Sequence, residues 1–236
     1  MLRLDKFLCE MNVGTRSQVK SYLKLGMVTV NNEAVTRPEY KIDENADAVS
    51  FQGKLLSYRK YAYFMLNKPA GVVSATEDAS CETVAELLKD TGCRGLFPVG
   101  RLDKDTEGLL LMTNDGGLAH NLLSPNKHVG KVYYVELAGK LSDREKEQLE
   151  AGVDIGEEKP TLPAKVEEIS DHAVYLTITE GKFHQVKRMM QAVDNQVVYL
   201  KRVAMGSLLL DEALPPGGYR ALTEEEISLL KKEKSR

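Results

Sequence analysis

Two short amphipathic helices and a hairpin are predicted from the first forty residues. Apolar residues recur at helical spacing in two runs. They are Leu4, Phe7, Leu8 and Met11 in the first run and Val19, Tyr22, Leu23 and Leu25 in the second. Thr15 is suited to cap the second helix, and Gly26 is suited to end it. The alternating segment 27–35 then predicts a β-hairpin that turns at Asn31-Asn32.

Strand-like and helix-like patterns interleave along the rest of the chain. The predicted strands are 62–66, 108–113, 131–138, 163–169, 173–179, 197–202 and 207–210. The predicted helices are 82–90, 116–123, 142–150, 184–193 and 223–233. Several strands follow one another with no helix between them, which does not fit a regular βαβ winding. We therefore predict an α+β fold with a mixed, largely antiparallel sheet and flanking helices.

A basic stretch near residue 58 suggests the boundary between two domains. We expect a small domain over 1–58, a larger one over 59–228 and a C-terminal tail over 229–236. Residues 1–41 carry seven Lys/Arg and four Asp/Glu, a net charge of +3, although the whole chain carries −3. This separate basic charge favours nucleic-acid binding by the small domain, and a solvated charged surface is the alternative.

The composition is that of an ordinary globular protein. Hydrophobic residues make up 42% of the 236 positions and charged residues 28%. No apolar run reaches the roughly 18 residues of a membrane span, and the N-terminus lacks a signal-peptide core. The three cysteines are far apart, so neither a disulfide framework nor a zinc site is predicted. We expect a cytoplasmic protein with reduced thiols.

Three carboxylates lie close together in "GRLDKDTEGLL", residues 100–110. Asp103, Asp105 and Glu107, followed by Gly108, match the first half of a calcium-binding loop. The second half would need a glutamate at position 114, where this chain has Asn114, so a calcium site is excluded. The remaining alternatives are a solvated turn and a functional aspartate at position 103. We expect Asp105 and Glu107 to face water.

A basic helix is predicted from "EGKFHQVKRMM", residues 180–190. Helical spacing gathers one apolar stripe, formed by Val186, Met189, Met190 and Val193. The opposite side carries His184, Lys187, Arg188 and Gln191. A solvated basic face would explain this side equally well. The segments "LNKPAGVVS", 66–74, and "KVYYVEL", 131–137, carry a Lys-Pro turn and a strand with paired tyrosines.

Taken together, these segments resemble one enzyme family. "FMLNKPAG", "GRLDKDTEGLLLMTNDG", "KVYYV" and "EGKFHQVKRMM" are similar to the motifs of the RsuA-type pseudouridine synthases of the small ribosomal subunit. The opening "MLRLDKFL" and its two helices resemble the S4 RNA-binding domain of these proteins. The resemblance covers about residues 1–228. It implies a small S4-like αL RNA-binding domain followed by a pseudouridine synthase domain.

The resemblance implies that uridine in 16S ribosomal RNA is isomerised to pseudouridine, at the uridine-516 type of site. By motif match, Asp103 is the covalent participant. Attack on C1′, addition to C6 and elimination to a glycal remain open. Lys187 corresponds to the basic partner that keeps this carboxylate charged where it is partly desolvated. No metal or other cofactor is implied.

Further residues take roles by the same motif match. Arg101 corresponds to the residue that fills the space left by the flipped uridine. Tyr133 corresponds to the tyrosine that packs against the base, whereas Tyr134 points to the other side of the strand unless the register differs. RNA or structural contacts are implied for Lys68, His184, Arg188 and Arg202. Phosphate contacts of the S4-like domain are implied for Arg16, Lys20 and Lys24.

The expected partner is 16S rRNA or an assembly intermediate of the small ribosomal subunit, bound by a monomer without a membrane or a small-molecule cofactor. Two alternatives keep the fold: a synthase acting on 23S rRNA of the large subunit, and a non-catalytic RNA-binding protein of ribosome assembly. A third alternative is a small-molecule or metal-dependent hydrolase that uses Asp103, Asp105 and Glu107 together.

Overall fold

A computed structural model describes residues 1–11, 13–44, 46–56 and 61–233. The chain divides into two compact units, 1–60 and 61–236. The boundary predicted at residue 58 lies outside the described residues, as does the end of the predicted tail. No helix in the described ranges is long and apolar enough to cross a bilayer.

The first unit contains two helices and six short strands among its described residues. Its elements are β1 (Leu2–Arg3), α1 (Leu4–Glu10), α2 (Arg16–Lys24), β2 (Val28–Val30), β3 (Glu33–Ala34), β4 (Lys41–Ile42), β5 (Val49–Phe51) and β6 (Lys54–Leu55). Thr15 caps α2 through a capping box with Gln18, which confirms the predicted helix start. Asn31 and Asn32 have φ of 52° and 69°, the left-handed turn conformation predicted for the hairpin.

One apolar core holds this unit together, and α2 leaves its basic side in solvent. The buried core consists of Leu4, Phe7, Leu8, Val19, Leu23, Val28, Val30, Ile42 and Val49. Arg16, Lys20 and Lys24 are exposed. Because residues four apart share one side of a helix, these three cations form one basic row.

The second unit contains nine strands within its described residues. They are β7 (Tyr63–Lys68), β8 (Phe97–Pro98), β9 (Glu107–Thr113), β10 (Lys131–Leu137), β11 (Lys165–Ser170), β12 (Ala173–Ile178), β13 (Val197–Met205), β14 (Leu208–Leu209) and β15 (Tyr219–Ala221). The α-helices are α3 (Val84–Leu87), α4 (Gly116–Leu123), α5 (Asp143–Ala151), α6 (Gln185–Ala192) and α7 (Glu224–Lys232).

These strands form one sheet in the order β11-β12-β10-β13-β9-β7-β15, with β14 beside β13 and β8 beside β9. Only β9 and β13 pair in parallel among the described strands of this sheet, which confirms that it is mixed and largely antiparallel. The sequence did not predict β8 or β15, because segments of two or three residues are too short to show alternation. The helix predicted over 82–90 is shorter, since α3 gives way to a 3₁₀ turn that ends at Gly92 with φ 67°.

Helices cover both faces of the sheet. Residues of α5 and α6 pack on one face together with Leu102, Tyr133 and Val135. Residues of α4 and α7 pack on the other face against Leu109 and Leu111 of β9. Strand β9 is therefore buried on both faces, and the loop that precedes it rests on a rigid element.

Candidate active site

Hydrogen bonds fix residues 101–106, which belong to the loop that connects β8 to β9. Ser74 Oγ accepts a hydrogen bond from Leu102 N at 3.0 Å and donates one to Leu102 O at 2.9 Å. Gly71 N donates to Lys104 O at 2.8 Å, and Thr106 N donates to Asp103 O at 3.1 Å. The backbone on both sides of Asp103 is thereby held in place.

Lys68 fixes the same loop from inside the protein. Its ammonium donates to Pro69 O at 3.0 Å, Lys104 O at 3.2 Å and Thr106 O at 2.9 Å. The side chain is fully buried, and this burial lowers the pKa of Lys68 to about 8. The RNA contact predicted for Lys68 is wrong in this structure, because the ammonium is enclosed and its three hydrogens bond backbone carbonyls. The structural alternative is the one observed.

Gly108 allows β9 to approach β13 closely just after the loop. Its φ is 99°, and a Cβ atom there would meet Arg202 N at 2.9 Å and come much closer to Arg202 O. A side chain at this position would push the two parallel strands apart. The glycine of the carboxylate cluster therefore serves strand packing and not metal binding.

Asp103 lies between two basic side chains of the α6 segment. Its Oδ2 is 3.4 Å from Lys187 Nζ, and its Oδ1 is 3.6 Å from His184 Nε2. About a quarter of the Asp103 side chain is exposed. The structure thus brings Asp103 into contact with Lys187 and His184, which come much later in the chain. An accessible carboxylate oxygen beside a cation can act as a nucleophile.

Asp105 is exposed, as the sequence predicted, whereas Glu107 is only partly exposed; each also has a partner within the protein. Lys187 Nζ donates to Asp105 Oδ1 at 2.5 Å, and this hydrogen bond lowers the pKa of the Asp105 carboxyl. The Asp105 side chain remains 72% exposed. Glu107 accepts a hydrogen bond from the Tyr199 hydroxyl at 2.7 Å. These partners are present because Lys187 reaches between two carboxylates, while β13 brings Tyr199 alongside Glu107.

The segment before α6 explains how Lys187 is aimed. The apolar stripe predicted for this helix is confirmed, since Val186, Met189, Met190 and Val193 are buried. Gln185 is buried as well: its side chain accepts from Lys182 N at 2.8 Å and donates to Glu180 at 2.9 Å. His184 precedes the helix with φ 48° and ψ 36°, an unusual conformation for a residue with a side chain.

Arg188, predicted as an RNA or structural contact, donates three hydrogen bonds within the protein. Its Nη1 donates to Glu157 at 2.7 Å and to Phe183 O at 3.0 Å, and its Nη2 donates to Ile155 O. These contacts tie the 180–184 segment to the 155–157 segment. The structural alternative therefore describes Arg188 in this structure.

Tyr133 and Tyr134 point to opposite faces of the sheet, as predicted from strand geometry. Tyr133 is buried in the cluster that also contains Leu102 and Val186, the residues that precede Asp103 and Lys187. Its hydroxyl makes no hydrogen bond to any other described residue. Tyr134 lies on the other face, where it donates to Glu136 and packs edge-on against Tyr175 and Tyr199.

The two remaining arginines differ in exposure. Arg202 is only 1% exposed, and its Nε donates to Leu109 O at 2.8 Å. The RNA contact predicted for Arg202 is therefore wrong in this structure, because the guanidinium is enclosed between strands. Arg101 is exposed, and no other described residue forms an ion pair with it. Arg101 thus presents a cation that no described residue pairs, two positions from Asp103.

The sequence did not predict three features of this site. The first is the hydrogen bond from Lys187 to Asp105, for which the predicted inward position of Lys187 was the only signal in the sequence. The contact of Ser74 with Leu102 gave no signal, since 28 positions separate the two residues. The stacking of Phe183 on His184 was not predicted either. Among the described residues, no group of three or more His, Cys, Asp or Glu is arranged to hold a metal ion.

Comparisons with known proteins assign both parts of the chain to known families. Residues 62–192 match the family model of the RNA pseudouridylate synthases, and residues 2–47 match the S4 domain. An uncharacterized RNA pseudouridine synthase of Bacillus subtilis, YtzG, is 49% identical over 97% of this chain and 98% of its own length. The ribosomal small subunit pseudouridine synthase A of Vibrio cholerae is 43% identical over 96% of this chain and 98% of its own length.

A solved structure shows the same fold along the whole chain. The crystal structure of a pseudouridylate synthase superposes with a TM-score of 0.69 at 40% identity and covers 98% of this chain and 100% of that one. The matched synthase region includes Asp103, Tyr133 and Lys187. The chain therefore belongs to the RNA pseudouridylate synthase family, whose members are isomerases, and it carries an S4 domain ahead of the synthase domain.

Proposed function

We propose that this protein converts one uridine of small-subunit ribosomal RNA to pseudouridine, at the uridine-516 type of site. It acts in the cytoplasm, as a monomer, on 16S rRNA or on an assembly intermediate that contains it. The observation that carries the proposal is the partly exposed Asp103 carboxylate, 3.4 Å from Lys187 Nζ on a loop fixed by buried hydrogen bonds.

The reaction rearranges bonds within one nucleotide. The N1–C1′ bond breaks, the uracil ring turns, C5 bonds to C1′, and the proton lost from C5 is balanced by one gained at N1. Asp103 supplies a carboxylate oxygen that forms a transient bond to the nucleotide, at C1′ or at C6. Lys187 places a positive charge 3.4 Å from that carboxylate before the nucleotide arrives.

Two further residues complete the proposed site. Tyr133 packs against the target uracil, which its position in the cluster with Leu102 and Val186 supports. Its hydroxyl, which bonds no other described residue, is available for proton movement at the base. Arg101 enters the space that the flipped uridine vacates, which its exposure and its distance of two positions from Asp103 support. Flipping costs a few kcal/mol, and these contacts offset that cost.

The small-subunit substrate is favoured by the relatives. Proteins from Vibrio cholerae and Escherichia coli named ribosomal small subunit pseudouridine synthase A match almost the full chain at 43% and 42% identity. We extend that substrate to this chain, because the match includes the S4 domain together with the synthase domain. A large-subunit substrate remains an outcome of the test below.

The direct test maps pseudouridine in 16S and 23S rRNA of a strain that lacks this protein, by carbodiimide modification and primer extension. Loss of one 16S stop is expected, together with its return when the wild-type gene is restored. Loss of a 23S stop would replace the small-subunit substrate by the large-subunit one. Unchanged stops in both RNAs would contradict the proposed activity.

The same strain separates catalysis from RNA binding. Asp103→Asn keeps the size of the side chain and removes its negative charge. We expect this variant to bind rRNA as the wild type does and to leave the 16S stop absent. A restored stop would show that Asp103 is not the covalent participant.

The basic row of α2 is proposed to anchor RNA phosphates. Alanine at Arg16, Lys20 and Lys24 should weaken rRNA binding and lower the slope of log affinity against log salt by about 2–3. Alanine at Lys41 and Lys54, which are exposed in the same unit but lie outside α2, serves as the control. An unchanged slope in the triple variant would contradict the anchoring role.

A further inference from the structure

Phe183 is a large apolar side chain that the structure leaves in solvent beside the candidate active site. Its side chain is 68% exposed. One face of the phenyl ring stacks on the His184 imidazole, with ring centroids 3.7 Å apart and planes inclined by 21°. The opposite face has no aromatic partner among the described residues. An apolar ring with one face supported and the other open has the form of a stacking platform.

The backbone around Phe183 is held firmly. Lys182 N donates to the buried Gln185 side chain, and Arg188 donates to Phe183 O at 3.0 Å. His184 adopts φ 48°, a conformation that L-residues rarely occupy and that surrounding contacts must stabilise. Because the ring is fixed before any ligand binds, little conformational entropy is lost when a partner stacks on it.

The platform lies next to the reacting carboxylate. His184 Nε2 is 3.6 Å from Asp103 Oδ1, so the imidazole that supports Phe183 also borders Asp103. Lys187, in the first turn of α6, also lies close to Asp103, with its Nζ 3.4 Å from Asp103 Oδ2. The His184 imidazole therefore contacts both the Phe183 ring and the Asp103 carboxylate.

We propose that Phe183 is the stacking platform for an unpaired nucleobase adjacent to the target uridine in the RNA strand. This inference rests on the proposed function. When the target uridine leaves the base stack, its neighbours lose one stacking partner. Phe183 replaces that partner with a ring whose free face is ready to receive a base. Stacking accepts every base, because each has a π face, and it favours purines, which offer the larger area.

The test measures single-turnover pseudouridine formation on transcribed 16S rRNA with enzyme in excess and its concentration varied. Phe183→Ala should raise the half-saturating enzyme concentration about 5- to 150-fold, the range expected for loss of one base–aromatic stack, with a smaller change in the maximal rate. Phe183→Trp should stay close to the wild type. Phe183→Leu should behave like the alanine variant, because leucine keeps apolar bulk against His184 but has no π face.

Leu209 provides the matched control. It is 69% exposed, on β14, outside the loops that form the site. Leu209→Ala should leave both kinetic parameters unchanged. Thermal melting of each variant shows whether the fold is kept. If the alanine variant is unstable, the comparison of Leu with Trp still decides the question.

A second set of substrates locates the base. An abasic nucleotide is placed on the 5′ or the 3′ side of the target uridine. At one of these positions the abasic substrate should bind the wild type more weakly than the intact RNA does. Phe183→Ala should bind the abasic and intact RNAs equally, since this variant has already lost the stacking contact. Additive losses at both positions, or equal behaviour of Phe183→Leu and the wild type, would overturn the inference. An inactive wild type on both rRNAs would instead refute the proposed function.

Discussion

Two lysines contact the loop that carries Asp103, and they are held in opposite ways. Lys68 is fully buried, and its ammonium donates to three backbone carbonyls. Lys187 is partly exposed, and its ammonium bridges the carboxylates of Asp103 and Asp105. One lysine fixes the path of the chain, whereas the other places a charge beside a reactive group.

The difference shows how a rigid loop can present an accessible nucleophile. Three carbonyl oxygens accept the three hydrogens of the Lys68 ammonium. None of the described residues forms an ion pair with Lys68 on the buried side of the loop. The carboxylates stay on the solvent side, where Lys187 lies between them. The loop conformation is therefore set independently of the charges that take part in the reaction.

Loss of the Lys187 charge should have the largest effect among the variants that test this comparison. Lys187→Met removes the cation next to Asp103 and should lower the maximal single-turnover rate by about 10²- to 10³-fold. The melting temperature should change little, because the Lys187 side chain is partly exposed and touches no core carbonyl among the described residues. Pseudouridine formation at saturating enzyme is the measurement.

Lys187→Arg is the matched control, since it keeps a positive charge at the same position. It should recover part of the rate lost in Lys187→Met. Equal rates for the methionine and arginine variants would show that the charge of Lys187 is not what supports Asp103.

Loss of Lys68 should act mainly on stability. Lys68→Met leaves three backbone carbonyls, two of them in the loop, without their donor and should lower the free energy of unfolding by about 1–3 kcal/mol. Lys104→Met is the control, because Lys104 lies in the same loop with an exposed side chain and should change stability by less than about 0.5 kcal/mol. Denaturant unfolding of both variants checks the difference. Equal losses would mean that the buried contacts of Lys68 do not stabilise the loop.

The smallest effect is the pH dependence that Lys68 contributes. Burial lowers its pKa to about 8, whereas an unfolded lysine titrates near 10.5. Between these values the unfolded chain binds more protons, so the stability from this group rises with pH. The cost of Lys68→Met should therefore increase by about 1.5 kcal/mol as the pH is raised from 8 to 9.5. A constant cost across this range would mean that the ammonium is not desolvated.

The sequence predicted those parts of the site that depend on local patterns. The apolar stripe of α6 correctly gave the helix and left Lys187 free to reach inward, and strand alternation correctly separated Tyr133 from Tyr134. For Lys68 and Arg202, the family resemblance implied RNA or structural contacts without deciding between the two. Their burial depends on strands and carbonyls from distant parts of the chain, which no local pattern encodes.

The same limit applies to Asp105 and Ser74. Asp105 looks like a solvated turn residue until α6 brings Lys187 within 2.5 Å of it. Ser74 fixes Leu102 through two hydrogen bonds across 28 positions, with no sequence spacing that announces the contact. Which groups surround the nucleophile is thus decided by tertiary packing, while the identity of the nucleophile is suggested by the motif.

The most direct test compares the two carboxylates that share Lys187. Release of tritium from rRNA labelled at C5 of uridine reports bond formation at C5 and is followed in a single turnover for Asp103→Asn and Asp105→Asn. We predict that Asp103→Asn lowers the rate on the order of 10⁴-fold or more, whereas Asp105→Asn lowers it by less than about tenfold. Rapid release by Asp103→Asn together with loss of release by Asp105→Asn would contradict the central claim that Asp103 is the reacting carboxylate.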